Sequence, residues 1–300
     1  MKQFFIIVKR NIKMYFKDKG LFVSSLITPV ILLVLYATFL AKVYKDSFSG
    51  ALPAGMEVAD KLINGCVGGQ LVSSLIAVCS VTVAFCSNII MIQDKYLFGI
   101  KDFNISPVKR SKIAAGYLAA TFVNTLIVCF ITCALGFAYL AATGWYLSFS
   151  DVLLILSDVT LLSMLGTVLS SIIFTFLSTQ GQASAAGTIV SAGYGFLCGA
   201  YMPISSFGAG LQKVLGFLPG TYGTSLVRNH FLNGVYAKMG SIGFPAEVVE
   251  GIKDSIDCNL YFFGNKVEIW QMYLVLLLSN VLLIGIYILI NVLRAGSKRA

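Results

Sequence analysis

Long apolar runs alternate with short polar stretches along almost the whole chain. A helix needs about 20 apolar residues to cross the hydrocarbon core of a bilayer, and most of these runs reach that length. The pattern predicts an all-α integral membrane protein with six transmembrane helices, at residues 21–41, 65–92, 113–141, 151–177, 183–201 and 268–293. We expect residues 1–300 to form a single transmembrane domain.

Residues 1–19 have the pattern of an amphipathic helix rather than of a membrane span. At 100° per residue, five cations fall within one narrow wedge, and apolar residues cover most of the remaining surface. The wedge contains Lys2, Lys9, Arg10, Lys13 and Lys17. We expect an interfacial helix whose cations face anionic headgroups or a protein partner, with a simple topology anchor as the alternative.

A charged segment, residues 93–112, separates the second and third predicted spans. Its charged residues are Asp94, Lys95, Lys101, Asp102, Lys109, Arg110 and Lys112. Each such charge costs about 2.5 to 3.5 kcal/mol at the centre of a membrane helix, and the positive excess predicts the cytoplasmic side. Because Gly99 and Pro107 interrupt a helix, we predict a short surface helix between turns that can dock a soluble partner.

Residues 202–267 follow the fifth predicted span without an apolar run long enough to return across the membrane. The run at Val214–Gly220 is short and contains proline and glycine, which predicts a re-entrant or interfacial hairpin. Counted with the first residues of the sixth span, five cations match five acids in this segment. The lack of positive excess predicts that the hairpin and the loop after it are external.

Composition agrees with a membrane protein and indicates which side each segment occupies. Hydrophobic residues make up 57% of the chain and charged residues 12%, unlike a soluble domain of this length. The segments predicted to be cytoplasmic hold fourteen Lys and Arg against three Asp and Glu, whereas the external ones hold eight against ten. We therefore expect both termini in the cytoplasm, a location in the cell (plasma) membrane, and no nucleic-acid partner.

Few residues suggest catalytic or metal chemistry. The seven cysteines lie mostly in apolar runs without metal-ligand spacing, and His230 is the only histidine. No G-x-x-x-x-G-K-[ST] motif occurs, so we expect no ATPase site, catalytic residue, cofactor or metal in this chain. Pro29, a predicted kink, and Asp158, an intramembrane carboxylate, are candidates for a transport pathway, with helix packing as the alternative for Asp158.

Several short motifs, taken in order, carry a family resemblance. Asp94-Lys95 ends the second span, and Ile105-Ser106-Pro107-Val108 precedes the third. The second half contains Tyr194-Gly195, Tyr201-Met202-Pro203-Ile204-Ser205-Ser206-Phe207, Leu218-Pro219-Gly220-Thr221-Tyr222 and Arg228. Together with the basic N-terminal helix and the six spans, this order resembles the ABC-2 type permease family over essentially the whole chain.

The resemblance implies the transmembrane subunit of an ABC exporter with the type V fold. In that family the N-terminal helix and the loop after the second span contact a separate ATP-binding subunit, which binds ATP and Mg²⁺. By position, the coupling residues would be Asp94, Lys95, Phe98, Phe103, Lys109 and Arg110. The external gate hairpin would contain Met202, Pro203, Leu218 and Pro219.

We therefore expect a permease subunit that exports an amphiphilic cargo such as a drug, peptide, lipid or glycolipid. Either two copies of the chain, or this chain and a paralogue, would form the pathway. The alternative is an ATP-independent secondary transporter or channel, which predicts several intramembrane charges along a path. An intramembrane enzyme would need converging His, Asp or Cys side chains, which the sequence pattern does not indicate.

Overall fold

The computed structural model describes residues 2–35, 38, 42, 59–96 and 108–296, which form α-helices and one β-hairpin. In chain order the helices are α1 (Lys2–Lys17), α2 (Lys19–Leu35), α3 (Asp60–Ser87), α4 (Ile89–Tyr96), α5 (Arg110–Thr143), α6 (Phe149–Phe176), α7 (Gln180–Leu197), α8 (Ala209–Leu215), α9 (Pro219–Ser241), α10 (Ala246–Ser255) and α11 (Ile269–Gly296). A 3-10 turn at Ile204–Ser206 precedes α8, and strands β1 (Leu260–Phe262) and β2 (Asn265–Val267) precede α11.

Within the described residues, four helical segments are long and apolar enough to cross a membrane. They are Asp60–Tyr96, which combines α3 and α4, then α5, α6 and Ile269–Arg294 of α11. Helices α1 and α2 meet at 74° and add a fifth segment if the bent pair counts as one span. The multi-pass helical architecture is therefore confirmed, whereas the six predicted spans are not.

The two missing spans have different explanations. The predicted fifth span, residues 183–201, overlaps α7, in which glutamine, serine and glycine make the helix less apolar than the others. The predicted first span, residues 21–41, coincides with α2 as far as Leu35, and most of the remainder lies outside the described residues.

Helix α3 is the centre of the bundle, packed against α2, α5, α6, α7 and α9. All but four of its residues are buried, and many of them are serine, glycine or threonine. Small residues let membrane helices approach closely, because their side chains leave room for the neighbouring backbone. At Gly166 of α6, an added Cβ would lie 2.5 Å from the carbonyl oxygen of Ser80 and 2.8 Å from Cα of Val81. The backbones of α3 and α6 therefore touch at this glycine.

Residues 202–267 were predicted to form an external re-entrant hairpin and loop, and this stays a prediction. Within this segment, Pro219–Ser241 is helix α9, a 23-residue helix that packs against α3, α6 and α11. Near its start, Gly223 lies against Leu162, which is roughly 20 Å along α6 from the first residue of that helix at a rise of 1.5 Å per residue. Helix α9 thus begins deep in the bundle, after a turn that joins it to α8.

The bundle has two ends, which differ in their polar groups. The Asp94 end contains α1, α4, the start of α5 and the last turns of α6 and α11. The lobe end contains the start of α3, the junction of α5 and α6, and the lobe, which we define as residues 242–268. The lobe covers the end of α9, where Val235 and Met239 pack with Phe244 and Cys258.

Two local features stabilise the lobe. The strands β1 and β2 pair antiparallel, and Phe263 and Gly264 between them both have positive φ, at 49° and 85°, as a two-residue type I′ turn requires. The Glu250 carboxylate accepts hydrogen bonds from Lys253 (3.0 Å), Asn259 (2.8 Å) and Lys266 (3.1 Å). These donors lower the pKa of Glu250 to about 2. Glu250 thus ties α10 to the hairpin.

We expect Gly166→Ala to destabilise the protein by about 1–3 kcal/mol, because the new methyl group would push the α3 backbone away from α6. The matched control is Gly187→Ala in α7, where nothing lies within 4 Å of the added Cβ. That variant should be neutral or slightly stabilised, since alanine favours a helix over glycine by about 1 kcal/mol. Thermal unfolding of the detergent-solubilised chain measures both, and equal midpoints would contradict the close contact at Gly166.

Candidate functional site

Helix α1 docks on the Asp94 end of the bundle through one face. Ile7, Asn11 and Tyr15, spaced four residues apart, are its buried residues, and Ile7 packs directly on Gly116 of α5. Residues four apart lie on the same face of a helix. The hydroxyl of Tyr15 donates to Oγ of Ser25 at 2.6 Å, which joins α1 to α2 across the bend. The N-terminal helix is therefore fixed to the bundle on this face.

An ion pair joins α1 to the last turn of α4. The two terminal nitrogens of Arg10 donate to the two carboxylate oxygens of Asp94, at 2.7 and 2.8 Å. The hydroxyl of Tyr117 in α5 donates to the same carboxylate. Asp94 is 5% exposed, so its charge is compensated by these donors rather than by water. Bidentate arginine–carboxylate pairs are among the stronger and more directional contacts in proteins.

The next residue, Lys95, binds α6, whereas the partners of Asp94 lie in α1 and α5. Its ammonium group donates to the backbone carbonyls of Phe174 (2.7 Å), Leu177 (2.8 Å) and Thr175 (3.2 Å) at the end of α6. Arg294 of α11 also donates to the carbonyl of Thr175, at 2.6 Å. The last carbonyls of a helix lack intrahelical partners and carry partial negative charge, which cations stabilise. The two cations therefore cap α6 and hold α4 and α11 against it.

A polar layer lies one to two turns deeper, where α3 ends and α4 begins. Asn88 at this break donates to the hydroxyls of Ser170 (3.3 Å) and Ser171 (3.2 Å) in α6, and it accepts a hydrogen bond from Thr121 of α5 at 3.2 Å. Asn124 donates to Ser87 at 3.1 Å. Such interhelical hydrogen bonds join helices inside a membrane. The layer connects α3, α5 and α6 directly behind the Asp94 end.

Arg228 in α9 connects three separate parts of the chain. It is 1% exposed, and Nη2 donates to the carbonyl of Gly199 at 2.8 Å and to Oγ of Ser74 at 3.1 Å. Nη1 donates to the carbonyl of Ile256 and lies 3.9 Å from the carboxylate of Asp257. Gly199, with φ of +74°, can turn its carbonyl toward Arg228 because glycine has no Cβ. Arg228 thus ties the end of α7, the lobe and α3 to α9.

A second buried cluster on α9 contains the histidine. Nδ1 of His230 lies 2.6 Å from one carboxylate oxygen of Asp158 in α6, and the hydroxyl of Tyr273 in α11 donates to the other at 2.5 Å. Asp158 has no exposed surface. One turn nearer the lobe, Asn233 donates to Asp151 at 2.8 Å. These contacts join α9 to α6 and, through Asp158, to α11.

The family model for ABC-2 type transporters matches residues 2–232, more than half of the chain. The chain belongs to the ABC-2 type transporter family. It is therefore the membrane permease of an ABC-type transporter, and membership implies association with an ATP-binding subunit and with the membrane. Neither the curated proteins nor the solved structures contain a match to the chain.

The coupling residues predicted from the ABC-2 resemblance do not share one environment. Lys109 and Arg110 are exposed at the start of α5, whereas Asp94 is buried and Lys95 is bound to α6. The charged groups of Asp94 and of the half-buried Lys95 thus bind within the bundle. Phe98 and Phe103 lie outside the described residues.

The structure brings the predicted gate residues of this ABC-2 permease close to the joint between α7 and α9. Met202 is exposed after α7, and Pro203 caps the 3-10 turn. Leu218 and Pro219 begin α9. Thr221 in the first turn of α9 donates to the carbonyls of Leu215 (3.0 Å) and Leu197 (3.5 Å), which holds the two segments together.

The two predicted pathway residues are both buried. Pro29 lies in α2, which packs against α3, and Asp158 is bound by His230 and Tyr273. The sequence alone did not predict the roles of Arg10, Arg228 or His230. A signal exists for Arg10, since it is the one arginine among the lysines of α1, and arginine suits bidentate pairing better than lysine does.

We expect Arg10→Gln to destabilise the docked α1 by about 1–3 kcal/mol, because the buried Asp94 carboxylate loses its bidentate partner. In the double variant Arg10→Gln/Asp94→Asn, the destabilisation should be smaller than the sum of the losses in the two single variants, since either substitution alone already breaks the pair. Lys13→Gln, at an exposed position of the same helix, is the control and should stay within about 0.5 kcal/mol of the parent. Thermal unfolding provides the measurement, and fully additive losses would contradict the pairing.

Proposed function

We propose that this chain is the membrane-spanning permease subunit of an ATP-driven ABC exporter. It moves an amphiphilic cargo, such as a drug, peptide, lipid or glycolipid, out of the cytoplasm. A separate ATP-binding subunit holds ATP and Mg²⁺, and this chain has no catalytic site. The observation that carries the proposal is the Asp94 end, where Asp94 joins α1, α4 and the start of α5 in a chain of the ABC-2 family.

We propose that the Asp94 end faces the cytoplasm and that the lobe is external. The distribution of lysine and arginine supports this orientation, because the segments at the Asp94 end carry most of the excess positive charge. Both termini are then cytoplasmic in a cell (plasma) membrane. The exposed Lys109 and Arg110 lie beside the segment that would touch the ATP-binding subunit.

Force from the ATP-binding subunit would reach the bundle through buried contacts. A displacement of residues 97–107 acts on α4, and α4 is bound to α1 through Asp94 and to α6 through Lys95. Helix α4 directly continues α3, and α3 also packs against α7 and α9. Motion at the cytoplasmic end would therefore change the arrangement around the gate residues. Rigid-body shifts of packed helices are a common form of such coupling.

A second permease subunit, either another copy or a paralogue, would complete the pathway. Helices α2 and α7 support this, because each packs on α3 with one face and leaves apolar side chains exposed on the other. The exposed residues include Val30, Ile31 and Val34 of α2 and Ile189 of α7. The small residues of α7 would permit close approach of a partner helix.

An ATP-independent secondary transporter or channel is the second candidate function. The observation in its favour is the set of buried ionisable groups on and around α9, Asp158, Arg228 and His230. Such transporters use intramembrane charges to bind ions or protons. Here those groups hold α6, α9, α11 and the lobe together through mutual contacts, and we therefore favour the ATP-driven exporter.

Charge reversal at the proposed docking surface tests the function. We expect Lys109→Glu/Arg110→Glu to weaken association with the ATP-binding subunit at least about tenfold, since like charges at an interface cost several kcal/mol. Cargo-stimulated ATPase activity of the reconstituted complex should fall with it. Lys238→Glu, exposed near the other end, is the control and should leave both unchanged. Normal assembly and activity of the double variant would contradict the docking assignment.

Cysteine labelling in intact cells tests the orientation separately. Six of the seven native cysteines are buried and Cys86 is half-buried, so background labelling is low. We expect Lys238→Cys to react with a membrane-impermeant maleimide, and Lys109→Cys to react after the membrane is permeabilised. The opposite pattern would mean that the Asp94 end is external.

A further inference from the structure

An exposed aromatic surface surrounds the tip of the β-hairpin. Phe263, at the turn between β1 and β2, is 60% exposed, and Phe217, at the joint of α8 and α9, is 66% exposed. The ring centroid of Phe262 lies 4.8 Å from that of Phe263 and 5.3 Å from that of Phe217. Phe217 and Phe262 also border one cavity together with Trp270 of α11. We call Phe217, Phe262, Phe263 and Trp270 the aromatic surface.

The backbone of Phe263 indicates that its side chain has a role beyond forming the turn. Its φ of 49° is unusual, because positive φ is uncommon for residues other than glycine and is an outlier for a bulky one. A type I′ turn usually has asparagine, aspartate or glycine at this position. Contact with two neighbouring rings leaves Phe263 largely exposed, so packing within the chain does not account for phenylalanine here. Backbone conformations of this kind often mark functional positions.

The two faces of the β-hairpin differ in polarity. Tyr261 and Lys266 are cross-strand partners and therefore share a face. On that face the hydroxyl of Tyr261 donates to Asp254 at 3.0 Å, and the ammonium group of Lys266 donates to Glu250 at 3.1 Å. Successive residues of a strand point to opposite faces, so Phe262 lies on the other one. The charged face is thus bound to α10, and the aromatic face turns toward α8 and α11.

The aromatic surface is continuous with the membrane-facing side of α11. Trp270 and Leu274 are exposed near the start of Ile269–Arg294, a segment long and apolar enough to cross a membrane. Trp270 is therefore at the level where the span begins, and aromatic side chains favour this interfacial level. Because Phe217 and Phe262 border the same cavity as Trp270, they lie at this level too.

We propose that the aromatic surface inserts into the leaflet at the lobe end and anchors the β-hairpin to the bilayer. Its partner is the boundary between headgroups and acyl chains, which interfacial segments enter to a depth of about 5–10 Å. The rings are uncharged, so the anchor does not select the headgroup charge. Lys213, with Nζ 5.8 Å from the ring centroid of Phe263, can hold its ammonium group among the headgroups. The anchor does not rest on the transport proposal, because it requires only that α11 crosses a membrane.

Single-tryptophan variants of the full chain in phosphatidylcholine vesicles test the anchor. The chain contains two tryptophans, so Trp145→Phe/Trp270→Phe is the background. Phe263→Trp places the reporter in the aromatic surface, and Tyr261→Trp, at a similarly exposed residue of the charged face, is the matched control. We expect lipids brominated near the top of the acyl chains to quench Phe263→Trp several-fold more strongly than Tyr261→Trp. Iodide in the aqueous phase should quench the two variants in the reverse order.

Phe217→Trp in the same background is an independent reporter on the α8 side of the surface. It should behave as Phe263→Trp does, and it decides the question where Phe263→Trp does not fold. Iodide quenching equal to that of Tyr261→Trp, without quenching by brominated lipid, would mean that the surface faces water and would overturn the proposal. Protection from both quenchers would overturn it as well, because protein, such as a second copy of the chain, would then cover the surface.

Discussion

Two neighbouring side chains at the end of the central helix, Asp94 and Lys95, hold the bundle together by binding in opposite directions. Asp94 receives donors from α1 and α5, and Lys95 caps the carbonyls of α6. A buried carboxylate or ammonium without a partner is very costly in a medium of low dielectric constant, so four helices must meet at this point. A load applied to α4 is therefore carried by charge-assisted hydrogen bonds as well as by apolar packing.

The sequence predicted the elements whose surroundings are set by lipid. Helices α3 to α6 and α11 are apolar along most of their length, because much of each lies in the hydrocarbon layer or in a close-packed interior. Helix α9 was not predicted, because hydropathy identifies helices that are surrounded by lipid. Helix α9 is instead surrounded largely by other parts of the protein. Its buried Thr224, Ser225 and Arg228 find their partners inside the bundle. A polar segment of this kind has the composition of a loop.

The sequence also could not show which residues pair when they are far apart along the chain. Asp158 was recognisable as an intramembrane carboxylate, yet its partner His230 is 72 positions away. Arg10 and Asp94 are 84 positions apart, and the cation wedge of α1 gave Arg10 the same environment as the lysines. Helical periodicity places residues on a face of their own helix only. Which faces meet depends on the packing of the whole bundle, as the close contact at Gly166 illustrates.

The positions of the Arg228 partners along the chain determine when α9 can pack with all of its contacts during biosynthesis. An arginine near the middle of a membrane helix costs about 2.5 to 3.5 kcal/mol on insertion, so this segment has little tendency to enter the bilayer alone. Some of its acceptors precede it in the chain, at Ser74 and Gly199, but others follow it, at Ile256 and Asp257. The nascent chain must therefore extend beyond residue 257 before α9 has a complete set of partners. Complete pairing of Arg228 thus follows synthesis of the lobe.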